Sequence, residues 1–374
     1  MEPGGEGQVW SRAVRIDQFL PSFVPDDAIG NHVRNVRRAL RQAGYDSDIW
    51  AEDIHRSLRD EARPYRVYES SGAPADVVVY HVAHHSPLAG FLEWRSEPLV
   101  VDYHNITPAE FFAGWDPRIA ESMDQARREL RQLAPRTVLG LADSIYNREE
   151  LVAVGYAHTA VSPVVVDYDQ WSSISAERTS GRDAGADQGA RWLFVGRIAP
   201  NKCQHDLVGA LAVHRALFDP SATLALVGAT TSRLYLRSLQ RLVQDLDLDG
   251  AVDITGPVPT EELRRHLLQS DVLVCLSEHE GFCVPIVEAM AAGLPVVAFA
   301  SAAVPETLGG AGFLVDDKDP LMVACTLQRL RDDARLRAEL VGRGHRRVAE
   351  LSRERTAACF VDHLRGVVAR LGIG

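Results

Sequence analysis

The segment that most constrains this chain runs from Asp271 to Phe299. Asp271-Val272-Leu273-Val274-Cys275-Leu276 is a β-branched apolar run of strand length, and Leu294-Pro295-Val296-Val297-Ala298-Phe299 is a second. Between them, Pro285 suits a first helical position, because its fixed φ is helical and its missing N–H has no partner to lose there. Gly293 supplies the left-handed residue that stops the helix. Residues 277–290 therefore predict a strand-loop-helix corner whose helix is about two turns long.

Such a corner has a chemical consequence. The free N–H groups and positive dipole end of the helix face the loop carrying Glu280, with Glu288 about one turn inside. An anion site beside two carboxylates suits a polyhydroxylated phosphate ester, whose hydroxyls donate to carboxylate oxygens. An ordinary βα corner of an α/β protein satisfies the same residues.

At 374 residues the chain is long for one core, and two α/β domains are expected. Apolar residues at 46% and charged residues at 24% describe a globular protein. The net charge of −11 argues against a general nucleic-acid binder. No apolar run approaches the roughly 20 residues that span a bilayer, and Met1-Glu2-Pro3-Gly4-Gly5-Glu6-Gly7 is unlike a signal peptide. A cytoplasmic location is expected. Cys203, Cys275, Cys283, Cys325 and Cys359 are scattered and lack Cys-x-x-Cys spacing, so neither a disulfide framework nor a zinc cage is predicted.

From the N-terminus, residues 13–20 predict a strand and Asn31 to Gly44 a helix, joined by a loop that ends near Gly30. Strands at Asp76–Tyr80 and Leu99–Tyr103 open into loops carrying His81, His84, His85 and His104. In an open α/β sheet these loops belong beside a ligand cleft, and His104, at a strand end, is the candidate for substrate contact. Residues 171–190, rich in Ser, Gly, Ala, Asp and Arg, read as a linker. A second series of alternating elements begins at Arg191. The predicted domains are therefore 1–170, on the acceptor side, and 191–352, on the donor side. Residues 1–170 hold 17 Arg against 26 Asp and Glu, so the acidic half is the first. That acidity makes the Arg34, Arg37, Arg38 and Arg41 stripe a solvated face rather than a membrane contact.

Arg197 and Lys202 stand five apart in a loop that opens with Gly196, where the backbone can approach a ligand closely. A guanidinium fork and an ammonium make a clamp for a diphosphate and for the charge that grows on it as a leaving group. Only Lys202 and Lys318 are lysine in the whole chain, which singles out a demand for an ammonium at this loop.

Together, Gly196-Arg197 with Lys202, and Glu280-Gly281-Phe282-Cys283-Val284-Pro285-Ile286-Val287-Glu288-Ala289-Met290, resemble the signature of the family 4 retaining glycosyltransferases of the GT-B fold. The resemblance covers most of residues 190 to 350, and reaches the first half through the Gly30 loop and Tyr103-His104-Asn105. It implies two Rossmann-like, doubly wound α/β domains facing across a cleft, with a last helix in 353–374 that crosses back to the first. It further implies that Arg197 and Lys202 bind the donor diphosphate, that Glu288 holds the ribose, and that Glu280 with the backbone of Gly281, Phe282 and Cys283 holds the transferred sugar. By the same resemblance Val284 is one of the donor-binding residues, Gly30 lies against the donor phosphates, and His104 sits near the reacting sugar. Backbone near Gly228, Gly256 and Val258 would hold a uracil or guanine base. The family often has glycine where Cys283 stands, so this side chain narrows the sugar subsite.

The expected co-substrate is a nucleoside-diphosphate hexose, the acceptor a sugar, aminocyclitol or other small hydroxyl compound, and no cofactor or metal is expected. His81, His84 and His85 lack a carboxylate at ligand spacing, Asp167-Tyr168-Asp169 runs into the linker, and Asp245-Leu246-Asp247 closes a predicted helix. Two other functions use the same donor grip: a nucleotide-sugar 2-epimerase, which needs no acceptor, and a non-catalytic nucleotide-sugar binding protein.

Overall fold

The computed structural model describes residues 12–373 apart from 26, 71, 73 and 182–188. The N-terminal sheet contains β1 (Ile16–Phe23), β2 (Ile49–Ile54), β3 (Arg63–Pro64), β4 (Val77–Val82), β5 (Leu99–Tyr103), β6 (Thr137–Ala142) and β7 (Thr159–Val161), in the order β3-β2-β1-β4-β5-β6-β7. The C-terminal sheet contains β8 (Arg191–Val195), β9 (Thr223–Val227), β10 (Val252–Gly256), β11 (Val272–Cys275), β12 (Val296–Phe299) and β13 (Phe313–Val315), in the order β10-β9-β8-β11-β12-β13. The strands within each sheet pair in parallel. Helices cover both faces, which explains why a central strand such as β11 is buried throughout and reads as a continuous apolar run.

Both strand orders reverse direction once, between β1 and β4 in the first sheet and between β8 and β11 in the second. Loops diverge at such a point and leave a crevice at the carboxyl ends of the strands. The loop after β8 carries Gly196 to Lys202 and the loop after β11 carries Glu278 to Cys283, so the expected clamp residues share one crevice. The loops after β1 and β4 face them from the other domain.

The chain crosses between domains twice. Val164, Val166, Tyr168, Trp171 and Ile174 are buried in the same cluster as Ile286, Val287 and Met290 of the C-terminal domain. Here the expected linker needs correction, because Asp169–Gly181 is a helix. Its Ser, Ala and Gly content lowered the apolar signal, and burial of Trp171 and Ile174 supplies what propensity does not. Residues 182–188 of that expected linker, and the Gly-rich segment at 1–7, lie outside the described residues.

The last helix, Arg353–Leu371, makes the second crossing. Its Phe360, Leu364 and Val367 are fully buried against Ile16, Val36, Val77 and Val100 of the N-terminal domain. At its start Arg353 pairs with Asp167, whose other oxygen accepts the N–H of Asp169 at 3.0 Å. The first Asp-x-Asp run is thereby used for anchoring. In the second, Asp245 pairs with Arg241 at 2.8 Å, one turn earlier on the same helix. Among the described residues no helix is long and apolar enough to cross a membrane.

Candidate active site

The donor-side wall begins where β8 and β9 end together. Gly196 has φ +151° and Gly228 φ +143°, and a Cβ on Gly228 would lie 2.1 Å from the Gly196 carbonyl oxygen. The two glycines thus let the Arg197 loop bend over the sheet edge. A short turn, Pro200–Lys202, ends at Cys203 in left-handed backbone, with φ +52°. Asn201 then ties this loop to the next: its amide donates to the His279 carbonyl at 3.2 Å and its carbonyl accepts the Glu278 N–H at 2.9 Å. The result is that Lys202 Nζ lies 2.6 Å from Glu280 Oε2. Lys318, the other lysine, bridges Glu278 at 2.5 Å and Asp206 at 2.7 Å. Both ammonium groups of the chain thus hold the 278–280 segment.

Gly281 follows, and here the requirement for glycine comes from the opposite domain: a Cβ would meet Asn105 Cβ at 2.5 Å and Asn147 Nδ2 at 2.9 Å. Cys283 has φ +72° and immediately precedes the helix Val284–Ala291, with Pro285 in its first turn. A left-handed residue is costly for anything but glycine, which gives a backbone reason for the glycine expected there. The Cys283 and Cys275 sulfurs lie 3.9 Å apart, both buried thiols. Glu288 sits in the second turn, beside Tyr168 and Trp171. Burial pushes its carboxyl up to about 7, opposed only by the Trp171 indole N–H.

The facing wall comes from β1, β4, β5 and β6. The first helix spans Ala28–Gln42, starting earlier than its periodicity suggested, and Asp27 caps it by accepting the Gly30 N–H at 2.9 Å. Gly30 is buried and its N–H is already used, so the cleft is met instead by Asp27, Ala28 and Ile29. His81 also differs from expectation. It lies inside β4, fully buried, because a hydrogen bond at each ring nitrogen offsets the cost of taking it out of water.

His104 stands at the end of β5 with 2% of its side chain exposed. Its Nδ1 is 3.0 Å from both oxygens of Asp143, and its Nε2 is 3.1 Å from His81 Nδ1 and 3.4 Å from Asp102 Oδ2. Burial alone would lower its pKa; Asp143 and then Asp102 outweigh it, raising the imidazole to about 9. His81 is lowered to about 4 by burial. Asp102 is held well below the usual carboxylate range although burial opposes it, because His104, His32 and His81 all face it. Both ring nitrogens of His104 are engaged, so it meets the cleft only through its ring edge and through Asp143.

These walls enclose a cleft of about 470 Å³. Gly196, Arg197, Lys202, Glu280, Gly281, Phe282, Cys283, Val284 and His104 all line it. Gly30, Val258 and Glu288 do not: Val258 packs on the apolar cluster beneath β10 and Glu288 lies behind the helix start. Residues not singled out in advance also face it, among them Ser22, Asp27, Thr107 and Asp143. The strand-end rule points to Asp143, one residue beyond β6, but nothing local separates it from a capping aspartate.

Two parallel-sheet domains with facing switch points and a last helix that returns to the first domain define the GT-B fold class. Residues 182–347 match the family model described as Glycosyl transferases group 1. The match falls on the C-terminal domain of this chain. A D-inositol 3-phosphate glycosyltransferase of Geodermatophilus obscurus is 32% identical over 61% of this chain and 52% of its own length. A GDP-mannose-dependent alpha-(1-6)-phosphatidylinositol monomannoside mannosyltransferase of Mycobacterium tuberculosis is 31% identical over 64% of this chain and 65% of its own. The chain thus spans between about half and two thirds of the length of these relatives. Among solved structures, Anabaena HepE in complex with UDP and glucose superposes with a TM-score of 0.74 at 18% identity, covering 94% of this chain and 100% of that one.

Proposed function

We propose that this chain moves a hexosyl unit from a UDP- or GDP-linked sugar to a hydroxyl of a small neutral or cationic acceptor, with retention at the anomeric carbon. The observation that carries this reading is the 2.6 Å meeting of Lys202 with Glu280, beside Arg197 and at the start of a helix. Two cations and a helix N-terminus suit the diphosphate, and the adjoining carboxylate suits the hydroxyls of the sugar. As the bond from the anomeric carbon to the diphosphate breaks, Arg197, Lys202 and the helix end stabilise the leaving charge. The acceptor oxygen attacks on the same face and its proton passes to the departing phosphate oxygen.

Acceptor class follows from the N-terminal wall. Its described cleft-lining residues include Asp27 and Asp143 and neither arginine nor lysine. An anionic acceptor, such as the inositol phosphate named for one relative, would meet two carboxylates and neither arginine nor lysine of that domain, with His84 and His104 its histidines on the cleft.

The test is thermal-shift screening with UDP, GDP, ADP and TDP, followed by product analysis with the matching sugar donors. Saturation at a hundredfold excess over Kd stabilises by about 2.7 kcal/mol. A new glycosidic bond with retained configuration supports the reading. Conversion of the donor to its epimer without acceptor would sink it.

A further inference from the structure

Beneath the cleft floor lies a buried chain of side chains that the donor grip does not use: Gln18, His81, His104 and Asp143, flanked by Asp102 and His32. We propose that His81 and His104 share one buried proton, and that this pair holds Asp143 as an oriented carboxylate which accepts a substrate hydroxyl. His81 and His104 are then positioning residues of the transfer reaction, and Asp143 is the group that touches substrate. The proposal rests on the glycosyl-transfer reading for its chemistry but not for its proton arrangement.

The proton positions follow from neighbours of known polarity. The Gln18 amide nitrogen donates to the Val33 carbonyl at 3.3 Å, which turns its oxygen to His81 Nε2 at 3.1 Å. His81 Nε2 is therefore a donor, and neutral His81 offers Nδ1 as an acceptor. The His81 and His104 rings have centroids 5.4 Å apart and planes within 5°, with facing nitrogens 3.1 Å apart. Parallel rings at that separation reach so short a nitrogen contact only edge to edge in one plane, each nitrogen on the line between centres. A hydrogen fits that line.

A metal ion does not fit between two nitrogen lone pairs aimed at each other across 3.1 Å, since bonds of about 2.0 Å to each would need a wider gap. This matters because His32, His81, Asp102 and His104 bring ligand-type atoms within 4.8 Å of one another. His32 is excluded independently: its Nδ1 receives the Val165 N–H at 2.8 Å, so its Nε2 carries the proton that Asp102 Oδ2 accepts at 2.9 Å. Asp102 Oδ2 also lies 3.1 Å from His81 Nδ1, beside the shared proton. His104 Nε2–H thus points to His81 and His104 Nδ1–H to Asp143, making His104 an imidazolium between two carboxylates. The charged groups facing it are Asp102 from β5, Asp143 after β6 and Asp27 at the first helix cap, with His81 and His32 completing the shell.

Five buried ionisable groups are costly to assemble, and apolar side chains pack such a floor as well or better. The arrangement ends at Asp143, at the carboxyl end of β6, where α/β sheets place ligand-binding groups. An anion there also suits the positive charge that develops on the transferred sugar.

The decisive experiment is nitrogen NMR of the full chain labelled with 15N-histidine, combined with transfer kinetics for His81→Leu and His81→Gln. The expected spectrum shows His104 doubly protonated at pH 7, with a nitrogen–nitrogen coupling to His81 across the hydrogen bond. In His81→Leu the coupling disappears, His104 titrates about one pH unit lower or more, and turnover falls about tenfold with its alkaline limb moved the same way. Nucleotide binding stays unchanged. His81→Gln, which can still accept from His104 and donate to Gln18, recovers most of the rate. Should His81→Leu fail to fold, Asp143→Asn is the second variant, and His104 should then hold a single proton at pH 7. A singly protonated His104 in the unsubstituted protein, one equivalent of zinc retained on purification, or an unmoved pH profile in His81→Leu would each overturn the proposal. Because the NMR result needs no turnover, failure of the glycosyl-transfer reading is distinguishable from failure of this one.

Discussion

Lys202 Nζ and Glu280 Oε2, contributed by the loops after two different strands, are 2.6 Å apart in the cleft. A donor diphosphate must therefore compete with Glu280 for this ammonium, and the two residues act in opposite senses on a bare nucleotide. Lys202→Ala should weaken nucleoside-diphosphate binding by about 1.5–3 kcal/mol, the worth of a charge-assisted contact. Glu280→Gln should bind the same nucleotide as tightly or more tightly, while losing about a hundredfold or more in transfer. Isothermal titration on both variants checks the pair.

Glu288 gives a pH signature. Its folded value near 7, set by burial, lies above the ordinary 4.5, so between these values the fold binds a proton that the unfolded chain has released. Stability should decrease as pH rises through that window. The proposed ribose contact requires the nucleotide to reach Glu288 from a cleft that this carboxylate does not line; where it does so, nucleotide affinity should instead drop as pH falls below 7. Melting curves and titrations from pH 5 to 8 should show both trends, and Glu288→Gln should flatten them.

The histidines bound the opposite limits. His104, raised to about 9 from 6.5, contributes stability that is complete below 6.5 and lost as pH rises through 9. His81 and His279, both lowered to about 4, chiefly by burial, contribute stability present above 6.5 and lost as pH falls toward 4. His104→Gln should remove the alkaline loss of melting temperature and leave the acid loss in place.

Gly281 should not tolerate alanine. The added Cβ would collide with Asn105 and Asn147 of the other domain, and neither is free to retreat, because Asn105 Nδ2 donates to Asn147 Oδ1 at 3.0 Å. Gly281→Ala is expected to open the cleft, raising the radius of gyration in solution scattering, and to abolish transfer while each domain stays folded.

At Cys283 the backbone predicts an asymmetry. With φ +72°, Cys283→Gly relieves strain of about 1–2 kcal/mol. That offsets the lost thiol packing and added chain entropy, so stability should change by less than about 1 kcal/mol. Cys283→Val should cost about 2 kcal/mol or more, since a β-branched residue resists left-handed backbone. Chemical denaturation decides between them, and the glycine variant should accept a wider range of donor sugars.

The donor wall was legible because its chemistry is local. Gly196, Arg197 and Lys202 lie within seven residues, Glu280 to Glu288 within nine, and strand and helix periodicity around them fixes which ends meet. Gly30 was misassigned because a glycine near a helix start looks alike whether its N–H faces a ligand or, as here, an Asp27 cap. Asp143 carries no pattern at all: its meaning comes from His104, 39 residues away.

The chain's linear order determined two parallel α/β domains and the placing of Arg197 and Lys202 in one loop at a strand end, because alternation, helix punctuation and charge spacing are properties of neighbours along the backbone. The tertiary structure alone decided that Lys202 meets Glu280, that Gly281 is held to glycine by the opposite domain, and that three histidines and two aspartates form one buried proton chain. Those relations depend on side chains from different strands sharing a low-dielectric space, where distance and the loss of water set their protonation. No spacing along the sequence records them.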